Sequence, residues 1–250
     1  MGRTIAIGDI HGDIEALNRL LKRLPKLGAN DTLLFIGDYI DRGPASREVV
    51  KRVRGLSSSL RAHVVWLRGN HEDAWLQVID KGWPEFVMPR GNGCLEALRS
   101  FKRQPMPDRE QIPTAEEFKE LLAGSFFPKD VIEWMRSLPY FYEDDHAIYV
   151  HAGLKRASKD APFPHPSQVE PKKSLLWVRD HDFFRNYRGK TVVFGHTSTE
   201  HLPNDLSSYT IDDPTDLWAG PCAVGLDTGA GKGGFLTALE LPSGNVYESR

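Results

Sequence analysis

Cysteine is scarce in this chain. Cys94 and Cys222 are the only two, far apart and outside any C-x-x-C pair, which excludes a disulfide-built scaffold and fits packed thiols in a reducing cytoplasm. Long apolar runs are missing as well. None approaches the ~20 residues of a membrane-spanning helix, so no membrane partner is expected. Met1-Gly2-Arg3 leads directly into Ile5-Ala6-Ile7, which leaves no room for the apolar core of a secretory signal, and Ala6 stands where an N-myristoylation motif needs Ser or Thr. Neither sign of charge dominates, since 32 Lys and Arg against 34 Asp and Glu give a net charge of −2. The basic residues are interspersed with acids and form no nucleic-acid footprint, so no nucleic-acid partner is expected. Repeats of solenoid period are also absent.

What is present is the composition of an ordinary globular chain, 40% hydrophobic over 250 residues, a length that suits one domain over residues 1–250 and an expected monomer. Short apolar runs at 4–7, 32–36, 63–67, 147–150, 191–194, 223–226 and 235–241 alternate with helical periodicity. That pattern predicts an α/β fold whose strands deliver loops to one edge of a sheet. After the first run, Asp13 can cap a helix carrying Ile14, Leu17, Leu20, Leu21 and Leu24, ending near Pro25. A second helix is expected over 46–54. Residues 82–139 differ in texture: helical segments at 95–101, 115–122 and 131–138, separated by proline breaks, read as a helical insertion. Residues 159–173, with four prolines, read as a surface loop.

Five polar clusters rich in His, Asp or Asn each follow directly on an expected strand. They are Gly8-Asp9-Ile10-His11-Gly12, Gly37-Asp38-Tyr39-Ile40-Asp41-Arg42-Gly43, Gly69-Asn70-His71-Glu72, His151-Ala152-Gly153 and Gly195-His196-Thr197. One such cluster alone is also what a tight turn or helix cap looks like. Five in one chain, each bringing imidazole or carboxylate to strand ends that converge in space, point to a single polar site. His63, His146, His165, His181 and His201 lie outside these clusters and read as surface or structural. The run Gly229-Ala230-Gly231-Lys232-Gly233-Gly234 lacks Walker spacing and reads as a turn before the last strand.

In order, the clusters resemble the phosphoprotein phosphatase family of binuclear calcineurin-like metallophosphoesterases. The resemblance runs from residue 8 to about 197, and Leu175-Leu176-Trp177-Val178-Arg179 and Asp227-Thr228-Gly229-Ala230 look like its compact bacterial and phage branch. The insertion carries little of it beyond Gly91-Asn92-Gly93. The resemblance implies a four-layer α-β-β-α sandwich, two mixed sheets flanked by helices, with two divalent metals at the sheet edge. It implies that Asp9 and His11 bind the first metal, Asp38 bridges both, and Asn70, His151 and His196 complete the second. Imidazole and carboxylate without thiolate suit Mn, with Fe or Zn as alternatives, better than Mg or Ca. His71 is implied as general acid, oriented by Asp41, and Arg42, Arg68 and Arg179 as phosphate-binding groups, a task that arginine's planar fork suits.

The implied activity is that of a serine/threonine protein phosphatase on a phosphoprotein or phosphopeptide, acting by direct attack of a metal-bridging hydroxide without a phosphoenzyme. The alternative is a symmetrical diadenosine tetraphosphatase or a broad phosphoesterase on the same scaffold. Dinucleotide hydrolases of this type typically lack the aspartate before the arginine in the second cluster and carry Gly-Asn-His-Asp in the third, whereas this chain has Asp41 and Glu72. One departure from the family is Ser198, where many relatives have proline.

Overall fold

The structure, a computed structural model, describes residues 2–108, 110–210 and 212–250. The first strand, β1 (Thr4–Ile7), is followed by α1 (Ile14–Arg23), whose start is fixed by Asp13 accepting from the Ala16 amide at 2.8 Å. Next come β2 (Thr32–Phe35), α2 (Ser46–Ser59), β3 (His63–Trp66) and α3 (Asn70–Lys81). The middle of the chain is helical, with α4 (Pro84–Val87), α5 (Cys94–Lys102), α6 (Ala115–Ala123) and α7 (Lys129–Ser137) packing on α2 and α3. It then runs through β4 (Phe141–Glu143), β5 (Ile148–Val150), α8 (Ser174–Trp177), α9 (His181–Asn186), β6 (Val192–Phe194), β7 (Trp218–Ala219), β8 (Ala223–Gly225), β9 (Thr237–Leu241) and β10 (Val246–Glu248).

Two five-stranded mixed sheets result. One runs β10-β9-β1-β2-β3 with β1, β2 and β3 parallel; the other runs β4-β5-β6-β8-β7 with β5, β6 and β8 parallel. Side-chain alternation divides each strand between two apolar layers. Ile5, Ile7, Leu33 and Phe35 face α1, α2 and the middle helices, while Ala6, Leu34 and Ile36 meet Ala147, Tyr149 and Val193 between the sheets. On the outer face of the second sheet, Ile148, Val150, Val192 and Phe194 pack with Phe183 and Phe184 of α9. Because both faces are covered, the parallel strands read as continuous apolar runs, which is why they were visible in sequence. The fold is therefore the expected four-layer α/β sandwich.

Two expectations needed adjustment. α2 continues past 54 through Gly55 to Ser59, because Val53 and Leu56 anchor that turn in the core and outweigh the ~1 kcal/mol that an exposed helical glycine costs. Residues 70–81 form a helix that the polar cluster had concealed. Among the described residues no helix is long and apolar enough to cross a membrane.

Candidate metal centre

The carboxyl ends of the parallel strands of both sheets meet at one edge. β1, β2 and β3 deliver Asp9 with His11, Asp38 with Asp41 and Arg42, and Asn70 with His71; β5, β6 and β8 deliver His151, His196 and Asp227. The turns that do this are tight. Six non-glycine residues among those described have positive φ, and five belong here: His11 (46°), Asp38 (52°), Asp41 (71°), Arg42 (64°) and His196 (63°). Side chains rarely adopt such backbone unless surrounding bonds hold it. Here the Ile10 and His11 amides donate to the Asp38 carbonyl at 3.0 and 2.9 Å, and the Gly43 amide donates to the His11 carbonyl at 2.9 Å. Gly195 is required for room, since a Cβ there would lie 1.9 Å from Asp9 Oδ1.

Asp38 is the centre of the cluster. Its Oδ2 lies 3.4 Å from His11 Nε2 and 4.0 Å from His71 Nε2, and its Oδ1 lies 3.5 Å from His151 Nε2. Asn70 Oδ1 sits 2.9 Å from His151 Nε2 and 2.7 Å from His196 Nδ1. Potential ligand atoms thus form two groups that share Asp38: His11, Asp38 and His71, and Asp38, His151 and His196, with atoms in each group within 4.8 Å of one another. Asp9 is in neither group, but its Oδ2 accepts from the His196 amide at 2.9 Å, and its buried Oδ1 has no partner. The buried Nε2 of His196 also has none.

The imidazoles are set up as neutral donors of a lone pair. His11 Nδ1 faces the Ile40 carbonyl and His151 Nδ1 the Ile36 carbonyl, each at 3.1 Å. A proton on each Nδ1 leaves Nε2 free toward Asp38. Burial lowers the pKa of His11, His151 and His196 below the ordinary value, the first and last well below it. Asp38 shows the reverse balance: burial would raise it, but His151, His71 and His11 together hold it far below the carboxylate range. Burial, followed by the charges of Asp227 and Asp38, raises Asp9 well above it. Buried imidazole, carboxylate and amide oxygen around unsatisfied Asp9 and His196 atoms form a donor set that fits divalent transition metals, with no thiolate.

Beside this cluster, His71 Nδ1 contacts Asp41 Oδ2 at 2.6 Å, and Trp75 Nε1 donates to both Asp41 oxygens at 2.9 Å. All three side chains are buried. Burial opposes a charged His71, yet Asp38 and Asp41 prevail and raise its pKa; burial likewise raises Asp41 despite its bonds to His71 and Trp75. Trp75 follows His71 by one helical turn, so reading 70–81 as a helix would have found it. Glu72 was also missed as a structural anchor. Its carboxyl accepts from the Asp38, Tyr39 and Gly69 amides at 3.0, 2.9 and 3.0 Å, and burial followed by the Asp38 charge pushes its pKa up to about 8. The glutamate three residues after Gly69, where a helix begins, was the available signal.

The three arginines differ in availability. Arg42 donates to the Gly91 carbonyl at 2.7 Å and retains an unpartnered buried Nε; Arg179 reaches the His196 carbonyl at 3.4 Å. Arg68 is more fully engaged, with Tyr140 Oη at 2.9 Å, the Arg136 carbonyl at 2.7 Å and Asp73 at 3.3 Å, which leaves only its Nε without a partner. Of the histidines outside the clusters, His146 faces the Gly2 carbonyl and His165 faces Glu143.

The sequence model of the calcineurin-like phosphoesterase family matches residues 2–217. A symmetrical bis(5'-nucleosyl)-tetraphosphatase of Methylobacillus flagellatus is 30% identical over 154 residues, 60% of this chain and 43% of that protein. The chain thus matches under half the length of such curated relatives. A crystal structure named provisionally as a diadenosine tetraphosphatase superposes with a TM-score of 0.57 at 22% identity, covering 99% of this chain and 92% of the other. A Saccharomyces cerevisiae protein serine/threonine phosphatase superposes at 0.52 and 18% identity, covering 99% and 78%.

Proposed function

The chain belongs to the calcineurin-like phosphoesterase family, and from that premise we propose that it hydrolyses phosphate monoesters with alkoxide leaving groups, as a serine/threonine protein phosphatase does. The observation that carries this reading is the buried 2.6 Å contact of His71 with Asp41. A seryl oxygen leaves poorly unless it is protonated as the P–O bond breaks, and an imidazolium held by a carboxylate supplies that proton. In this reading Asp41 takes the hydrogen bond from His71 Nδ1–H, Trp75 fixes Asp41, and His71 Nε2–H donates to the departing oxygen. Water supplies the oxygen that phosphorus gains, so no phosphoenzyme forms.

Asp9, His11, Asp38, Asn70, His151 and His196 would hold two divalent cations, with Mn²⁺ the first choice and Fe or Zn as alternatives. Such ions activate water and neutralise charge on the phosphoryl oxygens. Arg42 and Arg179 would bind those oxygens at the rim. Arg68 joins them if it releases part of its present network.

A second reading, hydrolysis of a symmetrical dinucleoside tetraphosphate, is favoured by the names of the curated relatives; on that ground the comparisons back it better than the first. A paired assay separates the two. Mn²⁺-loaded protein is given a phosphoserine peptide and diadenosine tetraphosphate, with Asp41→Asn and His71→Asn alongside. Peptide turnover that collapses in both variants supports the first reading. Cleavage of the dinucleotide with the peptide untouched overturns it and establishes the second.

A further inference from the structure

Asp227 follows β8 and is fully buried. Lys232 Nζ approaches its two carboxylate oxygens at 2.8 and 3.1 Å and lies 3.1 Å from Ser198 Oγ, which itself reaches Asp227 Oδ2 at 3.3 Å. The loop closed by this pair presses on the metal centre: a Cβ on Gly231, whose φ is +71°, would lie 2.2 Å from the His11 carbonyl oxygen. On the other side, a Cβ on Gly8 would lie 2.2 Å from the Leu226 carbonyl oxygen. Asp227 is therefore packed against the turn that carries Asp9 and His11. Three carboxylates, Asp9, Asp38 and Asp227, share this buried corner. Lys232 is the cation in contact with Asp227, and it reaches in from an open cleft with its side chain 24% exposed.

We propose that Lys232 is a positioning residue of the metal centre: by binding both oxygens of Asp227 it keeps that carboxylate from joining Asp9 and His11 around the first cation. This rests on the metal-centre reading above. Asp227 is a third buried acid beside two expected ligands; Ser198 Oγ and the Gly229 amide also donate to it, at 3.3 and 3.1 Å, but among its contacts in the described residues Lys232 alone brings a positive charge. An uncompensated carboxylate at this depth would gain by meeting a divalent ion.

The pair predicts an order of metal affinities set by formal charge. Lys232→Met leaves one more negative charge, Asp227→Asn one fewer, and the double variant restores the original sum. Isothermal titration of metal-stripped protein with Mn²⁺ should show the tightest site strengthened by at least ~10-fold in Lys232→Met. It should be weakened by ~10-fold in Asp227→Asn and within ~3-fold of wild type in the double variant. Unchanged or weaker binding in Lys232→Met, or a double variant that binds Mn²⁺ ~10-fold or more weaker than wild type, overturns the proposal. If Lys232→Met does not fold, as judged by circular dichroism, Asp227→Asn decides: equal or tighter binding overturns it. Wild-type protein that takes up no Mn²⁺ would instead sink the metal-centre reading itself.

Discussion

Replacing Asp41 with asparagine isolates the proposed acid from the rest of the site. The carboxylate is fully buried and accepts from both His71 and Trp75. Asparagine keeps the shape but has a single oxygen for two N–H donors, and its amide N–H would turn toward one of them. His71 then loses its charge-assisted partner, an interaction worth ~1.5–3 kcal/mol, which corresponds to roughly 10- to 100-fold in rate. The effect should depend on the leaving group. On a phosphoserine peptide kcat should fall by about that factor. On 4-nitrophenyl phosphate, whose phenolate leaves without help, the fall should stay under ~3-fold. Steady-state assays on both substrates, with metal content measured in each preparation, provide the comparison. Equal losses on the two esters at unchanged metal content would refute the acid role and reduce Asp41 to a packing residue.

Other outcomes follow from the same geometry. Asp38→Asn should remove tight Mn²⁺ binding at both positions, because the two potential ligand groups share that carboxylate, and a two-site titration will show whether both disappear. Trp75→Phe keeps the aromatic contacts with Phe86 and Phe127 but removes the donor to Asp41; urea unfolding should register a loss of ~1–3 kcal/mol. Away from the site, the hydrogen bond from Arg99 holds the Glu117 carboxyl below the ordinary glutamate value of 4.5. The stability it contributes is present above that value and lost as pH falls through the depressed folded pKa, so the wild-type melting temperature should drop more steeply below pH 4.5 than that of Glu117→Gln. Parallel pH slopes in the two proteins would show that the ion pair is not linked to folding.

Much of this was legible in the chain because both faces of the central strands are covered, which turns 4–7, 32–36 and 191–194 into unbroken apolar runs. The strand ends were readable for the opposite reason, since glycine, aspartate and histidine recur where the backbone must turn sharply. What escaped was decided by contacts distant in sequence. The edge strands β4, β7 and β10 are two or three residues long and too short to show a period. α3 was hidden because its first turn buries Asn70, His71, Glu72 and Asp73, polar residues where a helix pattern anticipates solvent. Nothing near Arg68 in sequence announces Tyr140, which takes one arm of its guanidinium from 72 residues away. The link between Asp227 and Lys232 was likewise obscured, because the glycines around it read as a turn.

The position of the centre between two separate sheets also bears on how the molecule holds together. Asp9, Asp38 and Asn70 follow strands of one sheet, His151 and His196 strands of the other, and the layer between them is apolar, from Ala6, Ala147 and Val193 to Tyr149. A cation shared by Asp38, His151 and His196 would add a cross-link between two halves already joined at this edge by the bonds of His196 to Asp9 and of His151 to Ile36. Metal uptake would then be coupled to the mutual docking of the sheets, and binding energy would add to the resistance to their separation. A metal-stripped chain would open first along that seam, with its outer helices still attached.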